Sequence, residues 1–66
     1  MDQQKERLMK LIQHWAEHND EHLERFREAS EEAAEKGLPE VSEKLKTASD
    51  KSVEVSKLLR ECLEYF

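Results

Sequence analysis

Three histidines at i, i+4 and i+8, His14, His18 and His22, are the residues of this chain best suited to chemistry. Two imidazoles four apart on a helix face the same side and can reach one metal ion. All three on one ion is excluded. His14 and His22 would be about 12 Å apart along a helix axis, against metal–nitrogen bonds of about 2.0–2.1 Å. A pair therefore needs a further donor. Cys62 is the candidate, with Glu17, Glu21 or Glu61 as carboxylate alternatives and a second copy of the chain as another source. Imidazole with thiolate or carboxylate would suit Zn²⁺, Ni²⁺ or Cu²⁺. The competing reading is architectural. Asn19, His22 and Ser52 would form a polar layer inside a helical seam, with His22 bonded to Ser52 and Asn19 fixing register.

Catalytic patterns fail on inspection. His14-Trp-Ala-Glu17-His18 matches H-x-x-E-H, but a zinc protease also needs a third ligand and a substrate cleft. The Glu-x-x-His of diiron-carboxylate bundles is absent, because Leu11, Trp15 and Asn19 stand three residues before the histidines. Ser52 could touch His22, but no Gly-containing elbow or oxyanion donor accompanies them. The expectation is a protein that is not an enzyme.

The elements that must carry these residues are legible from periodicity. Asp2 suits an N-cap, and a first helix is expected over about 3–36. Its apolar seam reads Leu8, Ile12, Trp15, Asn19, His22, Phe26, Ala29, Ala33, a heptad pattern. Gly37, the only glycine, suits the left-handed residue after a helix, and Pro39 suits the first position of the next. A second helix is expected over about 39–65, with the seam Val41, Leu45, Ala48, Ser52, Val55, Leu59, Cys62, Phe66. Antiparallel pairing about the 37–38 turn sets Trp15 against Leu59 and Leu8 against Phe66. The stretch 47–52 is rich in poor helix formers and could break the second helix, but the seam crosses it without a phase shift. The chain reads as one all-α domain over 1–66, an antiparallel two-helix hairpin.

The run His-Trp-x-x-His-Asn-x-x-His, a following Phe-Arg pair, a Gly-Leu turn and a second heptad helix resemble a group of small uncharacterised prokaryotic helical-hairpin proteins. That resemblance covers nearly the whole chain. It implies the hairpin fold and gives weight to the histidine stretch, and it implies no activity.

Composition narrows the partners. The 66 residues carry a net charge of −5, which argues against nucleic acid and against an anionic membrane surface. One cysteine cannot form an internal disulfide, no secretory leader is visible, and no run of 18 apolar residues occurs, so a cytoplasmic setting is expected. Two helices cannot enclose a core. Leu8, Ile12, Trp15, Phe26, Leu45, Val55, Leu59 and Phe66 are therefore expected to pack between two hairpins as a homodimeric four-helix bundle. The alternative occupant of that surface is an unknown protein partner.

Overall fold

A computed structural model describes residues 2–66. Helix α1 spans Gln3–Glu35 and helix α2 spans Pro39–Cys62, followed by a single 3₁₀ turn over Leu63–Tyr65. The helices lie antiparallel, and the described residues contain no strand. The particle is a slab of 54 × 14 × 10 Å, its length set by the 33 residues of α1 at about 1.5 Å each.

Local sequence explains each boundary. The Asp2 carboxylate accepts from the Gln4 N–H at 2.9 Å and opens α1. Gly37 takes φ +74°. Its N–H bonds the Ala34 carbonyl at 3.2 Å, and the Leu38 N–H bonds that of Ala33 at 2.9 Å. This is the paired-bond termination that a left-handed glycine permits. Pro39 is the first residue of α2, where a missing N–H costs nothing. The serine-rich stretch does not interrupt α2. Thr47 instead donates its hydroxyl to the Glu43 carbonyl one turn back, at 3.1 Å.

The phase of the interface differs from the one expected. The buried or half-buried positions on α1 are Met9, Ile12, Ala16, Asn19, Asp20, Leu23, Phe26, Ala29, Ser30 and Ala33. On α2 and its 3₁₀ turn they include Ser42, Leu45, Ser49, Ser52, Ser56, Leu59 and Leu63. Alternate seam positions have moved by one, except that Ala29 and Ala48 stay half-buried beside Ser30 and Ser49. Ala16 replaces Trp15, Leu23 replaces His22, and Ser56 replaces Val55. The physical reason is size. Ala16, Ser30, Ser49 and Ser56 are buried, and small side chains let two helices approach closely.

The approach is close enough for side chains to bond the opposite backbone. Ser49 Oγ donates to the Leu23 carbonyl at 3.3 Å. Ser30 Oγ donates to the Ser42 carbonyl at 2.8 Å. Ser56 Oγ lies 3.5 Å from the Ala16 carbonyl. Among the described residues no buried side-chain nitrogen or oxygen lacks a hydrogen-bond partner, as stability of a polar seam requires.

The displaced large residues collect on one face. At about 100° per residue, Leu8, Trp15 and His22 fall to one side of the line joining the helices. Because α2 runs antiparallel, Val41 and Val55 fall to the same side. Leu8, Trp15, Val41 and Val55 are each 44–47% exposed. The opposite face is charged, and Arg27, Glu31, Lys46 and Asp50 line a shallow groove there.

Candidate functional site: the histidine ladder and the polar crossing

The histidines form a ladder along the outer flank of α1. The rings of His14 and His18 stack with centroids 5.8 Å apart and planes 11° from parallel. His18 and His22 meet edge to face, with centroids 4.8 Å apart at 87°. Phe26 continues the line, 6.4 Å from His22. All three imidazoles are exposed.

His22 therefore does not lie in the helix–helix seam beside Ser52, as the heptad pattern suggested. The seam took Leu23 instead, which rotates His22 outward by one residue. Cys62 is likewise exposed rather than buried in a seam. Among the described residues, no three His, Cys, Asp or Glu side chains converge so as to hold one ion.

The expected packing residues divide. Ile12 is buried, and Phe26, Leu45 and Leu59 are half-buried between the helices. Leu8, Trp15, Val55 and Phe66 are exposed. The 3₁₀ turn, with three residues per turn, swings Phe66 away from its expected place opposite Leu8. It lies beside Asp2, Lys5 and Met9 instead.

The polar layer exists with different members. Asn19 Nδ2 donates to the Ser52 carbonyl at 2.7 Å and to Ser56 Oγ at 2.8 Å. Ser56 Oγ in turn donates to Asp20 Oδ1 at 2.6 Å. Arg60 completes the crossing, with one guanidinium nitrogen 2.6 Å from Asp20 Oδ2. Hydrogen bonds from Arg60 first, and from Ser56 second, hold the Asp20 carboxyl below its ordinary value. The same contact raises Arg60. Asp20, Ser56 and Arg60 were not singled out by sequence. The only signal for Ser56 was the seven-residue recurrence Ser42, Ser49, Ser56.

This arrangement holds two helices in register. Among the described residues the histidine rings stand exposed along the outer flank of α1. Over residues 8–66 the chain matches a family described as a domain of unknown function, DUF8180. The chain belongs to the DUF8180 family. It is also similar to an uncharacterised protein of Archaeoglobus fulgidus, 41% identical over 59 residues, which cover 89% of this chain and 94% of that one. No solved structure matches it. Membership thus agrees with the resemblance to small uncharacterised prokaryotic proteins. Among the described residues no helix is long and apolar enough to cross a membrane.

Proposed function

We propose that this DUF8180 chain is a non-enzymatic assembly module that works as a homodimer. Two hairpins stack apolar face on apolar face as an antiparallel four-helix bundle. One observation carries the reading. Five of the seven buried residues of the hairpin are Ala or Ser, with Ile12 and Leu23 the other two, while Leu8, Trp15, Val41 and Val55 stand 44–47% exposed along one face. Those residues, with Phe26, Leu45 and Leu59, point towards the space between two stacked hairpins. Covering them stabilises the pair by about 25 cal/mol per Å² of apolar surface. A net charge of −5 fits a protein partner rather than nucleic acid or an anionic membrane. The lone thiol of Cys62 fits a reducing cytoplasm.

The test is native mass spectrometry of the reduced protein at micromolar concentration. The proposal expects a species of twice the 7.8 kDa chain. A purely monomeric spectrum would overturn it, and would leave a different protein as the occupant of the face.

A second reading, a small metal-binding protein, is supported by the His18–His22 ring pair. Among the described residues of one chain no third donor, Cys62 included, joins that pair.

A further inference from the structure

We infer that His18 and His22 of two hairpins meet at the dimer two-fold axis and together form a four-imidazole site for a single Zn²⁺-class divalent ion. The inference rests on the homodimer proposed above and adds its topology and its ligand.

The pair geometry comes first. Two imidazoles bound to one tetrahedral ion, with metal–nitrogen bonds of about 2.0–2.1 Å, hold their ring centroids about 5 Å apart. His18 and His22 already stand at 4.8 Å, edge to face. The His14–His18 rings are wider apart at 5.8 Å and nearly parallel. His14 also points furthest from the apolar face, at about 100° per residue. The competent pair is therefore His18 with His22, and it supplies only two of four ligands.

The position of the pair along the slab supplies the other two. The seam of α1 from Met9 to Ala33 has its midpoint at Glu21. The His18–His22 pair is centred on Asp20. When two hairpins overlap along their full length about a two-fold axis across the slab, α1 lies antiparallel on its copy. His18 then sits opposite the partner's His22, and His22 opposite the partner's His18.

The charges beside the apolar face are arranged about the same level. Lys44 and Lys51 lie on one heptad stripe of α2, and Glu54 and Glu61 on the stripe next to it. The pairs Lys44 with Glu61 and Lys51 with Glu54 share one midpoint, between Ser52 and Val53. The bond from Asn19 to the Ser52 carbonyl fixes that midpoint at the level of the histidines. Arg7 and Glu32 on the outer flank of α1 are centred between Asn19 and Asp20. An antiparallel copy therefore meets opposite charge at each of these positions, which favours this pairing over others. A dimer with its two-fold axis along the helices would set α1 on the partner's α2 and separate the two histidine pairs.

The test is native mass spectrometry of the reduced full-length protein with equimolar zinc chloride. The expected result is a dimer carrying one Zn²⁺, with the metal lost in His18→Ala and in His22→Ala. It is retained in His14→Ala and Cys62→Ser. All four positions are exposed, so circular dichroism should report unchanged helix. A dimer that takes up no zinc overturns this inference and leaves the assembly reading standing. One zinc per chain, or loss of zinc in Cys62→Ser, overturns it in favour of a site within each hairpin. A monomer with and without zinc overturns both.

Discussion

Asp20 on α1 receives two guanidinium nitrogens of Arg60 on α2, at 2.6 and 3.3 Å, across 40 residues of sequence. It is the one ion pair among those found that joins the two helices. Ser56 bonds the same carboxylate at 2.6 Å while accepting from Asn19 at 2.8 Å. The crossing therefore locks α1 to α2 at the centre of the hairpin.

This crossing predicts an acid-sensitive contribution to stability. The Asp20 carboxyl is held below its ordinary value, chiefly by Arg60. A depressed acid stabilises the fold at every pH above its unfolded value of about 3.9, and that contribution is lost as pH falls through the lowered folded value. Both side chains remain nearly half exposed, so solvent screening keeps the pair's contribution small. Urea midpoints of wild type and Asp20→Asn should differ at neutral pH and converge as pH falls through the lowered folded value. An equal gap above and below that value would contradict the assignment.

Ser49 tests the close helix approach. It is 1% exposed and bonds the Leu23 carbonyl. Ser49→Leu should cost about 1–3 kcal/mol by overpacking. Ser49→Ala should cost much less, because the Leu23 carbonyl keeps its partner within the helix. Thermal unfolding followed by circular dichroism ranks the two, and a stabilising leucine would contradict the close seam.

Asn19 should matter more than its half-buried position suggests. Asn19→Ala deletes two bonds to α2 and leaves Ser56 with one donor fewer. Loss of about 1–3 kcal/mol is expected, read from the urea midpoint. A neutral effect would mean that the layer adds no stability.

Gly37→Ala isolates backbone strain. A Cβ added there meets nothing within 4 Å, so any cost arises from φ +74° alone. The expected loss is about 1 kcal/mol, checked by thermal melting. An unchanged melting temperature would show that the turn relaxes to another conformation.

The sequence carries the hairpin, but seven of the sixteen seam positions it suggests lie exposed. Heptads identified both helices and the turn, because Gly37 and Pro39 leave little choice there. The heptad pattern places Ile12, Asn19, Phe26, Leu45 and Leu59 between the helices, and they lie there. The same pattern sets Trp15 and Val55 beside them, because periodicity ranks large apolar residues as core. It does not reveal that a helix pair closes best over Ala16 and Ser56, leaving the larger residues for another layer. The histidine ladder was visible as spacing, but its seam member was not, since one residue of phase separates His22 from Leu23. The contact of Asp20 with Arg60 joins distant positions that share no local pattern.

The central claim, that two hairpins pair through the Trp15 face, is tested most directly by sedimentation equilibrium on three proteins. These are wild type, Trp15→Glu on the apolar face, and Gln13→Glu, which adds the same charge on the opposite side. The account predicts a dimer for wild type and Gln13→Glu, and a helical monomer for Trp15→Glu. A wild-type monomer, or a Trp15→Glu protein that dimerises as tightly as wild type, would contradict it.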